Sequence, residues 1–163
     1  VSQGPVREAF RKLETEGLVI TRPHQGTYVV TLGDDDVRQI EELRLTLERV
    51  AVRALVTHAG PRDLTTLHTL AHALADAAAR ADERGYVEYD CLFHRTLCQL
   101  SQNKRLESVW TLLSGQIRMV VAMRKALAAP AIQLAAQQHA ALVVAIEERD
   151  LVQAEELLPA CLV

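Results

Sequence analysis

Residues 1–30 read VSQGPVREAF RKLETEGLVI TRPHQGTYVV, and the order of signals in this stretch decides the architecture of one end of the chain. Ser2 is a good helix N-cap, and Pro5 is tolerated because it falls in the first turn. Val6, Ala9, Phe10 and Leu13 recur at helical spacing along one face. Gly17 predicts the stop. Two short β-prone runs follow, Leu18–Thr21 and Thr27–Val30, around the turn-forming Arg22-Pro23-His24-Gln25-Gly26. That order predicts a β-hairpin directly after a helix.

Working outward, Gly33 and Asp34 mark a boundary, and everything beyond reads helical. The first helix is predicted over about 35–58, with Ile40, Leu43, Leu47, Val50, Ala51 and Ala54 inward, until Gly60-Pro61 breaks it. The second runs over about 62–83 and ends near Gly85, and the third over about 86–100. The Ser101-Gln102-Asn103 connection leads to a fourth over about 104–127. A fifth follows Pro130 over about 131–148, and a sixth starts near Asp150. Long helices with short connections imply an antiparallel six-helix bundle. The fold class is therefore mainly α, with residues 1–32 as one unit and 33–163 as the other.

Composition agrees. Aromatics make up only 4% of the 163 residues, so the core is built from Leu, Val, Ile and Ala. Gly and Pro are scarce, which favours long helices over many-stranded sheets. The net charge of −3 gives no global nucleic-acid signal. Residues 1–31, however, carry four Lys/Arg against three acids, whereas the remainder is acidic. That sign suits a DNA reader joined to a domain that does not bind DNA. Three cysteines without framework spacing fit a reduced cytosolic setting. No apolar run is long enough to span a membrane.

The stretch Val1–Val19 closely resembles the recognition-helix signature of the GntR superfamily, and the hairpin ending Gly26-Thr27-Tyr28-Val29 resembles that family's wing. The resemblance implies a partial winged helix-turn-helix on double-stranded operator DNA. Ser2, Gln3, Gly4, Pro5, Arg7 and Arg11 then belong to the recognition helix, and His24, Gln25 and Gly26 to a wing tip in the minor groove. Gln3 and Arg7 are i and i+4, so they share a face. Arg7 can bond a guanine bidentately and Gln3 an adenine, while Arg11 is better placed for phosphate. The family more often has Arg where Gln3 stands. It also has two helices before the position of Ser2 that bury Val6, Phe10 and Leu13, so the chain is expected to be incomplete at its N-terminus.

Residues from about 35 to 163 resemble the C-terminal domain of the FadR branch of that superfamily, in its smaller, VanR-like version with six helices. The features that carry this are Arg44 and Glu48, Asp90 and His94, Asn103, and His139. Many members bind a divalent metal with an Asp and a His at i, i+4 and two further His residues. Asp90, His94 and His139 match, and Cys161 stands at the fourth position. The spacing also argues for itself. Asp90 and His94 share one helical face, and His139 and Cys161 are equidistant from Asp150, the break between the last two helices. Four ligands of types O, N, N and S would satisfy tetrahedral zinc, and a thiolate favours zinc over harder ions. The alternatives are a buried Asp–His pair and a Cys161 that is a small apolar filler. His68 and His72 are also i, i+4, but on a solvated-looking helix, and are not expected to hold a metal.

Arg44 is a candidate to pair with an effector carboxylate, with Glu48 one turn away as the competing partner. Arg118 is a second candidate. Trp110, Tyr86 and Tyr89 read as packing residues. The function expected is that of a cytoplasmic, nucleoid-associated regulator, a repressor and not an enzyme. It would bind its operator as a homodimer and release it when a small carboxylate metabolite enters the helical domain. Two other readings are a metal-dependent hydrolase or lyase using Asp90, His94 and His139, and a dimerisation module without sensing.

Overall fold

A computed structural model describes residues 3–124 and 129–162. Among them the chain forms α1 (Gln3–Thr15), a hairpin of β1 (Val19–Arg22) and β2 (Gly26–Val29), then α2 (Asp34–His58), α3 (Pro61–Ala79), α4 (Glu83–Leu100), α5 (Lys104–Arg124), α6 (Ala129–Glu147) and α7 (Leu151–Cys161). The six helices α2 to α7 are the antiparallel bundle expected.

Gly17 ends α1 as predicted. It takes φ 68°, while its N–H and that of Leu18 reach back to the carbonyls of Glu14 and Leu13 at 3.0 and 2.9 Å. Those two bonds satisfy carbonyls that a helix end otherwise leaves open. The hairpin pairs Val19 with Val29 and Arg22 with Gly26. Its tip turns through Pro23 and His24, the latter at φ 62°, and is closed by the Gln25 N–H on the Arg22 carbonyl at 3.1 Å.

Each bundle helix whose start is described begins on a side chain that accepts a backbone N–H. Asp36 and Asp63 fold back onto the amides of Gly33 and Gly60, both at 2.9 Å. Asn103 accepts from Leu106 at 3.1 Å and Asp150 from Gln153 at 2.9 Å. One boundary differs from expectation. α3 stops at Ala79 rather than near Gly85 because Ala81 adopts φ 53° and Asp82 caps the next helix. Asp82 accepts from the Gly85 N–H at 2.9 Å, so Gly85 opens α4 instead of closing α3.

The interior is filled by Leu55, Leu67, Leu74, Phe93, Leu97, Trp110, Ile117, Leu142, Ile146 and Leu158. α2 is central, in contact with α4, α5, α6 and α7. No described helix is long and apolar enough to cross a membrane.

Candidate functional site: a buried Asp–His–His centre

The helical phase of α4 carries Asp90 and His94 to the same inward face, and α6 brings His139 against them. All three are buried. His94 Nε2 lies 3.0 Å from His139 Nε2 and 3.8 Å from Asp90 Oδ1, and the third edge, His139 Nε2 to Asp90 Oδ1, is 3.5 Å.

The other ring nitrogens are fixed by what they face. His94 Nδ1 meets Glu48 Oε2 at 2.6 Å, and His139 Nδ1 meets the Ala135 carbonyl at 2.7 Å. A carboxylate and a carbonyl only accept, so both Nδ1 atoms carry the proton. In neutral rings, both Nε2 atoms then present lone pairs to each other and to Asp90. A site of this kind, with the outer nitrogens anchored and three lone pairs converging, is what a cation needs. A point about 2.0 Å from all three donors lies inside the triangle, matching the bond length of zinc to imidazole and carboxylate.

Charge balance points the same way. Arg44 donates to Glu48 Oε1 at 2.9 Å and to Asp90 Oδ2 at 3.1 Å, and the Trp110 indole N–H donates to Glu48 Oε1 at 3.0 Å. Two carboxylates face one guanidinium, leaving a net negative charge in a region sealed from water, which is costly unless compensated. Burial alone would raise Glu48, but His94 and Arg44 outweigh it and hold the carboxyl at about 2. Asp90 is likewise held below its ordinary range against the effect of burial, by Arg44 and then His94. Burial and the Arg44 charge push His94 down, against the pull of Glu48 and Asp90.

Two expectations need correction. Arg44 is not open to an effector. Its guanidinium is 3% exposed and is taken up by Glu48 and Asp90 together, a bridge from α2 to α4. Cys161 stands outside the group of donors that lie within 4.8 Å of one another. Its thiol, buried, donates to the Leu157 carbonyl one turn back at 3.5 Å. Burial, with Asp90 and Glu48 adding, raises this thiol in the metal-free chain. Equal distance from the turn fixes the height of two residues in a helical hairpin but not the direction in which each side chain points. Without sulfur the donor set is two imidazoles and a carboxylate, and the preference for zinc that rested on Cys161 goes with it.

Arg118 lies on the outside of the bundle. It is 51% exposed, 3.4 Å from Glu88, and lines a groove between α4 and α5 rather than the centre. His68 does meet an acid, Glu147 of α6 at 3.1 Å, which its own helix could not show. Sequence reasoning missed Glu48 and Trp110 as members of the centre. A buried-phase Glu four residues after an Arg on α2 was the available signal for the first, and nothing local marked the second.

At the reader, Arg7 and Arg11 are exposed on α1, and His24, Gln25 and Gly26 are exposed at the hairpin tip. Ser2 and the side chain of Gln3 lie outside the described residues. The opposite face of α1 carries Pro5, Val6, Ala9, Phe10 and Leu13 around an open apolar groove, with Val6 46% and Phe10 44% exposed.

Comparison with known proteins agrees with this arrangement. Residues 39–163 match the FCD domain, and residues 1–29 match the bacterial regulatory proteins of the gntR family. The chain is 32% identical, over 159 residues, to the probable D-xylose utilization operon transcriptional repressor of Paenarthrobacter nicotinovorans, covering 96% of this chain and 68% of that protein. It is 32% identical over 101 residues to the HTH-type transcriptional repressor RspR of Escherichia coli, covering 62% of this chain and 44% of the relative. Among solved structures, E. coli McbR/YncC superposes with a TM-score of 0.83 at 23% identity, covering 97% of this chain and 75% of the other. Streptococcus agalactiae GntR gives 0.64 at 21% identity, over 99% and 80%. The fold, the reader and both domain matches coincide, and the chain belongs to the GntR family of transcriptional regulators, with an FCD domain following its DNA-binding segment.

Proposed function

We propose that this protein is a metal-dependent repressor that releases operator DNA when a small organic acid binds its helical domain. The observation that carries the metal is the convergence of Asp90 Oδ1, His94 Nε2 and His139 Nε2, with both outer ring nitrogens anchored. Three protein ligands leave room in the coordination shell, and the ion would offer a Lewis-acidic anchor for a carboxylate. Glu48 orients the His94 ring, while Arg44 and Trp110 hold Glu48. Two imidazoles and one carboxylate suit zinc and other divalent transition metals.

α1 would lie in the major groove, with Arg7 reading a base edge and Arg11 on phosphate, and the wing tip in the minor groove. Two readers held by a homodimer would match a palindromic operator. The repressor sense follows the names of two relatives.

The test uses full-length protein. Elemental analysis should find about one divalent ion per chain, lost in His139→Ala and retained in Cys161→Ala. A gel shift on the upstream intergenic DNA should show a specific complex. Absence of metal from protein purified without chelator would refute the metal reading. A shift no stronger than on unrelated DNA would refute the regulator reading.

A further inference from the structure

The groove between α4 and α5 belongs neither to the Asp–His–His centre nor to the reader, yet Trp110 and Gly115 in its lining adjoin Glu48 and Leu18. It encloses about 370 Å³ and is lined by Glu88, Cys91, Leu92, Arg95, Trp110, Ser114, Gly115 and Arg118. Two arginines line it from two different helices. Arg95, on α4, is exposed and makes no hydrogen bond or ion pair among the described residues. Arg118, on α5, reaches Glu88 at 3.4 Å, but that carboxylate oxygen is shared with Arg84 at 3.3 Å. Two cations therefore face a single acid that a third cation already engages. Leu92 and Trp110 supply an apolar wall, and the Ser114 hydroxyl is turned away onto the Thr111 carbonyl at 2.6 Å.

The position matters as much as the chemistry. Behind the wall, the Trp110 indole N–H holds Glu48, which holds His94. At the other end, Gly115 lies so close to Leu18, at the base of the wing, that an added Cβ would stand 2.8 Å from a Leu18 methyl. The neighbouring Gln116 donates to the carbonyl of Glu16, at the end of the recognition helix, at 2.9 Å. A molecule in this groove would bear on the metal centre and on the seat of the reader at once.

We infer that the α4–α5 groove is a binding site for a small organic acid. Arg95 and Arg118 would grip its carboxylate, and the exposed Leu92 side chain would cover its apolar body, with the buried Trp110 ring behind. This inference rests on the reading of the helical domain as a sensor, and it adds a second acid site on the outer face of α4, separate from the one at the metal.

The test is a titration of the full-length protein with benzoate, hexanoate and inorganic phosphate. Trp110 is the sole tryptophan of these 163 residues, and its emission is the readout, assigned by difference from Trp110→Phe. At least one of the two carboxylates should give a saturable change, weakened tenfold or more in Arg95→Gln/Arg118→Gln, with metal content as the check on an intact fold. Three outcomes overturn the proposal: neither acid saturates, the double variant binds like the parent, or phosphate binds as well as the acids. The metal and operator readings fail on other measurements, elemental analysis and gel shift, so the two failures are distinguishable.

Discussion

His94 couples the charge of the centre to the stability of the fold. Burial and Arg44 hold it below the ordinary histidine range, so the metal-free folded chain takes up fewer protons than the unfolded chain as the pH falls below about 6.5. Stability from this residue is present above that value and is lost on acidification. Glu48, held at about 2, acts in the same direction lower down, from about 4.3 downward. For metal-stripped protein the guanidinium unfolding midpoint should be lower at about pH 5.5 than at about pH 7.5, and an equal or higher midpoint would show that His94 is not held neutral. Arg44→Met leaves two buried carboxylates without their cation and should cost about 3–5 kcal/mol in the same assay. A cost below about 1 kcal/mol, as for a surface pair, would place Arg44 in water. Asp90 and His94 were legible because i, i+4 spacing is a property of a single helix. Glu48 was legible as the partner of Arg44 one turn away, but its contacts with His94 and Trp110 were not, because they join residues 46 and 62 positions apart. Cys161 comes near enough to feel Asp90 and Glu48 but stands outside the tight donor group, because sequence distance from a turn gives height and no azimuth.

At the scale of elements, most boundaries were written in local chemistry. Gly60-Pro61, Asn103 and Asp150 each start a helix where capping rules put them. Asp82 was overlooked because Gly85, a plausible terminator, stood three residues beyond it. The α6–α7 connection holds a feature that no local rule suggests. Arg149 adopts φ 62°, a conformation that favours glycine, and its guanidinium donates to the carbonyls of Leu55, Val56 and Ala59 at 3.0, 2.9 and 2.7 Å. One side chain thus caps the C-terminal end of α2 from the far side of the bundle. Arg149→Ala should destabilise by about 1–3 kcal/mol, since it removes the guanidinium from the Val56 and Ala59 carbonyls, leaves Leu55 only the Ala59 N–H at 2.8 Å, and keeps the backbone cost. Arg149→Gly loses the same bonds but relieves about 1 kcal/mol of strain, so it should melt above Arg149→Ala. The reverse order would show that the guanidinium bonds contribute little.

For the whole molecule, α5 connects everything described above. It carries Trp110 against the centre, Ile117 in the core, and Gly115 and Gln116 against the reader. The division into a reader and a bundle was readable from the change of pattern at Gly33, but this joint was not, since each of its contacts spans about 100 residues of sequence. Gly115→Ala should cost about 1–3 kcal/mol by overpacking, and Leu18→Ala in the same chain should recover most of that loss. Additive losses in the double variant would mean that the two residues do not meet. Metal removal acts at this scale too. Under the proposed metal reading, an ion at a hundred times its dissociation constant adds about 2.7 kcal/mol, so chelation should lower the melting temperature of the parent and leave His139→Ala unmoved; an unchanged parent would count against the metal.

The Gly115–Leu18 fit also sets a rule for exchanging parts between members of the family. A reader transplanted onto this bundle keeps its orientation only if the residue after its helix-ending glycine is shaped to lie on a bare backbone. A bundle transplanted beneath this reader must in turn supply a glycine and an amide donor in succession on its fourth helix. Chimeras that respect the pair should keep the reader seated on α5. Those that cut between residues 30 and 33 without matching it should fold as two parts whose relative orientation this joint no longer sets.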